Sequence, residues 1–167
     1  MITESDRFYV FFTFTFAEYT LFALFLYLSL KEALFKYILL LSSAAFYIFA
    51  AFNVIGKKGE GFDSLTASVE DILIIIYSIL FLYEQIKGQD VFYIYQSKKF
   101  WVVIAFLIYS SSTLFLFIYG KTFEKVTTYW AINNIFDIVK NLLFAVAFTL
   151  KTNYKQQYSL ESSYAEP

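Results

Sequence analysis

The chain has 167 residues, of which 59% are hydrophobic, and its mean hydropathy is +0.59. Since a membrane-spanning helix needs about 20 largely apolar residues, this content corresponds to about five spans and excludes an ordinary soluble enzyme. The net charge of −1 offers no basic surface to nucleic acid, and the absence of cysteine and histidine excludes disulfides, thiolate nucleophiles and metal sites built on those ligands.

The first two predicted spans are Phe8–Leu30 and Tyr37–Ile55. Only Glu18 interrupts the apolar character of the first span, and the second contains no charged residue. Small residues at heptad spacing give the second span a face that another helix could approach closely. These small residues are Ser43, Ala44, Ala50 and Ala51.

The third predicted span, Leu65–Tyr83, is less clear than its neighbours. Its uncharged core, Ile72–Tyr83, has only 12 residues, which suits a buried or interfacial segment unless the preceding turns also enter the membrane. Those turns contain Glu70 and Asp71. An interfacial segment, which would reduce the number of spans to four, is therefore an alternative.

The last two predicted spans are Phe100–Tyr119, which contains no charge, and Tyr129–Leu150, which contains several polar residues. The aromatic run Val91–Tyr95 before them is too short to cross and is typical of the membrane interface. Residues 151–167 form a polar tail that contains the only proline, and we expect it to be disordered. The predicted fold class is an all-α, polytopic membrane helical bundle of five helices spanning residues 1–150.

Ionisable residues at membrane depth are costly, so each must be paired, face the bundle interior or lie near an interface. Glu18 and Lys140 lie near the middle of their spans, which begin on the same side of the membrane, so the two residues are at similar depth. A Glu18–Lys140 pair, or an internal Asp137–Lys140 pair three residues apart on one helix, would remove the cost of isolated charges. A structural role for Glu18 is favoured over a proton- or ligand-linked one.

The last span has further polar residues at helical spacing. They predict a polar face that points into the bundle and serves interhelical hydrogen bonding rather than conduction. The candidates are Asn133, Asn134, Asp137, Lys140 and Asn141.

Glu70 and Asp71 are candidates of lower weight. As neighbours on a helix they point about 100° apart, so we expect that they do not face one ligand and that they lie at a helix start near the headgroups, where the helix dipole favours acidic groups.

No glycine-rich phosphate loop, metal-ligand spacing or nucleophile motif occurs in the sequence, so no cofactor and no catalytic site are predicted. The Asp137-x-x-Lys140 spacing could in principle hold a retinal Schiff base, but five spans are too few for known rhodopsin bundles, and a buried lysine beside a carboxylate is first of all an ion pair.

The favoured function is a non-catalytic sensing or scaffolding module, with a small transporter or channel subunit as the alternative and an intramembrane enzyme as the third. The lipid bilayer is one expected partner, and the small residues of the second span predict a homo-oligomer or a membrane partner protein. The abundance of Lys, Phe, Tyr, Ile and Asn indicates an A/T-rich, bacterial genome.

Orientation follows from the basic residues in the connecting segments. Five lie on the side of the amino terminus and seven on the other side, which favours an external amino terminus and a cytoplasmic tail in the inner membrane.

Three parts of the chain resemble a known group of proteins. They are Glu70–Tyr83, Lys99–Ser111 and the asparagine-rich last span. From Phe8 to Leu150 the chain resembles small polytopic bacterial membrane proteins whose genes lie near those of sensor histidine kinases. The resemblance implies a role in signalling and supplies no activity for any residue.

Overall fold

In the computed structural model, the backbone is described at residues 4–57, 64–88, 91–123 and 127–150. The side chains are described over slightly shorter ranges, namely residue 10 and residues 12–53, 65–87, 94–118 and 131–150. Five long helices and one short 3₁₀ segment account for nearly all of this backbone. They are α1 (Glu4–Ser29), α2 (Ala33–Lys57), α3 (Ser64–Gly88), the 3₁₀ segment (Val91–Gln96), α4 (Lys98–Phe123) and α5 (Thr127–Thr149).

The chain is an all-α, polytopic helical bundle, as the sequence predicted. Each of the five helices contains an apolar stretch of 18 to 23 residues, long enough to cross a bilayer. In α3 this stretch runs from Leu65 to Lys87, so the turns that contain Glu70 and Asp71 belong to the same helix as the apolar core. With these turns included, the third segment is as long and apolar as a membrane span requires.

Successive helices run in opposite directions, as contacts at both ends of the bundle show. Near one end, the Asn53 side-chain amide of α2 donates to the Thr66 hydroxyl of α3 at 3.3 Å. Near the other end, the rings of Phe35 and Tyr83 from the same two helices lie 6.2 Å apart. Helices α1, α3 and α5 are consequently parallel to one another and antiparallel to α2 and α4.

Helix α3 lies at the centre of the bundle. It packs against α1, α2 and α4, and α5 packs chiefly against α4. A single apolar core joins α1, α2, α3 and α4 around α3, and its members are buried side chains that include Tyr19, Phe22, Leu26, Phe46, Ile74, Tyr77, Phe81 and Val103. Further contacts extend this packing to α5, because Phe106 of α4 lies between Phe22 of α1, at 4.1 Å between ring centroids, and Phe144 of α5, at 5.5 Å.

Hydroxyl groups join α1, α2 and α3 inside this core. The Tyr19 hydroxyl lies 2.8 Å from Ser43 Oγ and 3.1 Å from the Tyr77 hydroxyl, which in turn lies 2.6 Å from Ser42 Oγ. Ser43 and Ala50 of the predicted small-residue face are buried within the chain, whereas Ala44 and Ala51 are exposed. Half of that face is thus used inside the bundle.

The turn between α1 and α2 is fixed by a carboxylate from α3. The buried Glu84 side chain accepts hydrogen bonds from the backbone N–H of Lys31, at 2.9 and 3.0 Å, and from that of Glu32. These amides precede the first turn of α2, where backbone N–H groups have no partner within the helix and the helix dipole favours a negative charge. Glu84 therefore caps α2 from a third helix.

The segment between α3 and α4 is tied to α4 by an aromatic residue. The indole N–H of Trp101 donates to the Tyr95 carbonyl oxygen at 2.7 Å, and Ile94 is buried while Tyr95 is exposed. Ile94 therefore faces the bundle and Tyr95 faces outward, as expected for an aromatic segment at a membrane interface.

Replacing Glu84 with alanine should destabilise the protein, because it removes the acceptor of the part-buried hydrogen bonds from the Lys31 and Glu32 amides, each of which contributes about 0.5–1.5 kcal/mol. Thermal unfolding in detergent measures the effect. The control is Lys87→Ala, which removes the exposed 3.0 Å ion pair with Glu32 at the same end of the bundle and should change stability far less. Equal effects of the two substitutions would contradict the capping role.

Candidate functional site: a buried acidic cluster

Four ionisable side chains from three helices lie close together inside the bundle, and we refer to them as the acidic cluster. They are Glu18 of α1, Glu70 and Asp71 of α3, and Lys140 of α5. Glu70, Asp71 and Lys140 are more than nine-tenths buried. Helix α4 closes the cluster with Tyr109 and Thr113.

Lys140 connects α5 to the rest of the cluster. Its Nζ lies 3.2 Å from Glu18 Oε1 and 3.0 Å from Asp137 Oδ1, so it forms both of the ion pairs that the sequence offered as alternatives. The same Nζ lies 3.6 Å from the centroid of the Tyr109 ring, a cation–π distance. The ammonium is thus held from three sides, by α1, α4 and its own helix.

The two acidic partners of Lys140 have different surroundings. The Glu18 side chain is 16% exposed and the Asp137 side chain is 47% exposed. A carboxylate that is half exposed loses less when its partner is removed than one that is enclosed. The Glu18–Lys140 pair is therefore the contact on which the burial of Lys140 chiefly depends.

Asp71 is bound by α4. The Thr113 hydroxyl donates to Asp71 Oδ2 at 2.9 Å and lies 3.0 Å from the carbonyl oxygen of Tyr109 in the preceding turn. Hydroxyl side chains within a helix commonly donate to a carbonyl oxygen of the preceding turn, and the neighbouring Ser111 and Ser112 bond to Leu107 and Ile108 in this way. Thr113 differs in that its hydroxyl also reaches a carboxyl group.

Glu70 has no such partner. Its Oε1 is buried and has no hydrogen-bond partner among the described residues. Glu18, Asp71 and Lys140 are all near enough to interact with it electrostatically. A buried carboxyl oxygen without a partner is unusual and costly, which distinguishes Glu70 from the other members of the cluster.

The sequence assigned Glu70 and Asp71 to a helix start near the headgroups, and the structure places them near the start of α3, which begins at Ser64. Both are buried, at 6% and 5% exposure, in the sixth and seventh positions of the 23-residue apolar stretch of α3. The two side chains do point in different directions, as neighbours on a helix must. Helix α3 packs against α1, α2 and α4, and both directions lead into protein, whereas the opposite side of the helix, with Ile72, Ile76 and Ile79, is exposed.

The prediction of an inward polar face on α5 was correct only in part. Lys140 points into the bundle, Asn133 and Asp137 are half-buried, and Asn134 and Asn141 are exposed. The reason is that α5 packs mainly against one neighbour, α4, so only one narrow side of the helix is covered. The two exposed asparagines lie away from the acidic cluster.

The cluster contains more acid than base. Glu18 and Asp137 contact the one ammonium, and Glu70 and Asp71 lie near enough to interact with its charge. No three acidic groups in the described part of the chain are placed to share a metal ion. In a low-dielectric interior an unbalanced carboxylate is costly and is neutralised most simply by a proton.

Sequence reasoning missed the contribution of α4 to this site. Thr113 ends the hydroxyl run Ser110–Thr113 in an otherwise apolar span and Tyr109 precedes that run, so the residue types alone do not direct either one to the acidic residues of α3. One signal was available: Glu70 and Asp71 lie about as far from the start of the third span as Thr113 lies from the end of the fourth. In antiparallel neighbours this places them at the same depth.

Comparisons with known proteins yield no relative. No protein family, no curated protein and no solved structure matches the chain. The function must therefore be inferred from the side chains themselves.

Lys140→Ala should lower the free energy of unfolding by about 3–5 kcal/mol, because it leaves Glu18 buried without its counter-charge. Adding Glu18→Ala should restore most of the loss, whereas adding Asp137→Ala should restore little, since Asp137 is already half exposed. Thermal melting of the single and double variants in detergent measures the coupling. Recovery with Asp137→Ala alone would contradict this assignment, as would a Lys140→Ala variant as stable as the parent.

Proposed function

We propose that the protein is a non-catalytic sensing module of a bacterial membrane, in which the acidic cluster responds to protonation. The observation that carries the proposal is the excess of buried carboxyl groups over the single Lys140 ammonium, with Glu70 Oε1 left without a partner. Titratable groups enclosed in this way are typical of functional sites in membrane proteins.

The charged and the protonated forms of Asp71 would form different hydrogen bonds with α4. A charged Asp71 accepts from the Thr113 hydroxyl. A protonated Asp71 becomes a donor to Thr113 Oγ1, and the Thr113 hydroxyl then donates to the Tyr109 carbonyl oxygen, 3.0 Å away. Proton uptake on α3 is thereby transmitted to the hydrogen bonding of α4.

Tyr109 links this change to α5. Its carbonyl oxygen is the alternative acceptor for Thr113, and its ring lies against Lys140 Nζ. Lys140 in turn holds Glu18 of α1. A proton bound by the cluster therefore acts on contacts between α3, α4, α5 and α1, which is the connectivity that a sensing module needs.

Infrared difference spectroscopy in lipid bilayers tests the proposal. We expect a carbonyl band of protonated carboxylic acid that appears as the pH is lowered and is smaller in Glu70→Gln. The matched control is Glu32→Gln, a glutamate at the exposed end of the bundle with 37% side-chain exposure, which should leave the band of buried acid unchanged. A titration of the band that is identical in the parent and in Glu70→Gln would contradict the role of Glu70.

A transporter or channel subunit is the second candidate. The observation in its favour is that the charged groups form a series from the half-exposed Asp137 through Lys140 to the buried Glu18 and Glu70. Such a series is also what a proton path requires. The sensing function is preferred because it needs protonation only, without access to the cluster from both sides of the membrane.

Proteoliposomes with an internal pH dye separate the two functions. We expect no proton flux above that of protein-free liposomes under an imposed pH gradient. Flux that is abolished by Glu18→Gln, and retained in the control Glu32→Gln, would overturn the sensing proposal and support transport.

We further propose that the protein lies in the inner membrane, with its amino terminus outside and its tail in the cytoplasm. The support is that basic residues are more numerous on the tail side. The resemblance to proteins encoded near sensor histidine kinases supports a signalling partner in that membrane.

Single cysteines test the orientation, since the natural chain contains none. Lys31→Cys lies in the exposed α1–α2 turn, and Ser5→Cys lies near the start of α1, before the predicted span Phe8–Leu30 and at the opposite end of the bundle. In intact bacterial cells, an impermeant maleimide should label Ser5→Cys directly and Lys31→Cys only after permeabilisation. The reverse pattern would place the amino terminus in the cytoplasm.

A further inference from the structure

The outer surface of α5 carries a regular line of exposed side chains, which we refer to as the outer stripe. Successive members are separated by three or four residues, so they lie along one side of the helix. They are Ala131, Asn134, Ile138, Asn141, Ala145 and Phe148, all of which are exposed. The buried residues Lys140 and Ala147 lie on the opposite side of α5.

Two amides in this stripe lack partners. Neither Asn134 nor Asn141 forms a side-chain hydrogen bond within the described residues, and both are exposed. The apolar stretch of α5 runs from Ala131 to Thr149, so Asn141, its eleventh residue of 19, lies next to its midpoint. An amide in contact with lipid at that depth has no water to bind, which makes such an arrangement unfavourable unless another protein surface covers it.

We propose that the outer stripe is a dimer interface, at which α5 packs in parallel against α5 of a second copy of this chain. The spacing of the stripe is that of a helix pair, in which residues at a and d positions meet their counterparts. All copies insert in the same orientation, so the two-fold axis lies along the membrane normal and brings Asn141 opposite Asn141 of the partner subunit.

The chemistry of the amides selects a second copy as the occupant. An asparagine side chain offers both a donor and an acceptor, so two identical asparagines across a two-fold axis can satisfy each other. A single asparagine at such a position is known to fix register and partner number in helix pairs, and amides hydrogen-bond between helices in membranes. The small side chains Ala131 and Ala145 allow the two backbones to approach.

The interface is formed by a different helix from the one that the sequence favoured. Half of the small-residue face of α2 is used inside the bundle, where Ser43 contacts Tyr19. Helix α5, in contrast, has the least buried apolar stretch of the five. The uncovered helix with unpartnered amides is the better site for association. This inference does not depend on the protonation of the acidic cluster.

Cysteine cross-linking in lipid bilayers tests the interface. Ala145→Cys lies on the outer stripe, and Val146→Cys, the next residue and also exposed, points about 100° away from it. With the protein diluted in excess lipid, we expect oxidation to give a disulfide-linked dimer from Ala145→Cys and not from Val146→Cys. Cross-linking at both positions or at neither would overturn the proposal.

Moving the amide tests the chemistry. In the Ala145→Cys background, Asn141→Leu should weaken dimerisation about tenfold in a lipid dilution series, and Asn141→Gln should retain it. The double change Asn141→Leu with Leu142→Asn keeps the composition but rotates the amide off the stripe, and it should not restore dimerisation. Restoration by that double variant would overturn the proposal, as would a protein that stays monomeric at all lipid ratios and therefore leaves the stripe to lipid or another protein.

Discussion

Inside a bilayer, a polar group must find its partner within protein, and in this chain the central helix α3 is where that requirement is met or left open. Three acidic residues of α3 are buried, Glu70 and Asp71 near the start of the helix and Glu84 near its end. Glu84 binds the backbone amides at the start of α2, Asp71 accepts from Thr113 of α4, and Glu70 has an oxygen with no partner. These side chains constrain the neighbouring helices, because each carboxyl group needs a hydrogen-bond donor or a positive charge from an adjacent helix.

The sequence predicted the helices well because their signal is local. Length and hydropathy are sufficient for five spans, and the structure differs mainly where polar residues extend a helix, as in α3 beyond Tyr83. The contact between Glu18 and Lys140 was also predictable, since equal depth on parallel helices brings opposite charges together.

The remaining features depend on which side of each helix has a neighbour, and a single sequence does not contain that information. Glu70 and Asp71 were assigned to a helix start where the dipole favours acidic groups, and their burial against neighbouring helices was not foreseen. Asn134 and Asn141 were placed inside because polar residues in a span were assumed to face the bundle. Both outcomes depend on the neighbours of a helix: α3 packs against α1, α2 and α4 on the side that carries Glu70 and Asp71, whereas α5 has one main neighbour. Glu84 was missed because its partners are backbone amides 52 and 53 residues earlier, which no side-chain pattern reveals.

The bond between Glu84 and the α1–α2 turn also bears on how the chain is made. Helices leave the ribosome and enter the membrane in order from the amino terminus, so the first hairpin is present before α3 has been synthesised. At that stage the amides of Lys31 and Glu32 have only water as an acceptor, and the turn must stay at the membrane surface. The arrival of α3 brings Glu84 to these amides and closes the hairpin against it. The third helix thus completes the packing of the first two, and until α3 is inserted the α1–α2 turn lacks its capping carboxylate.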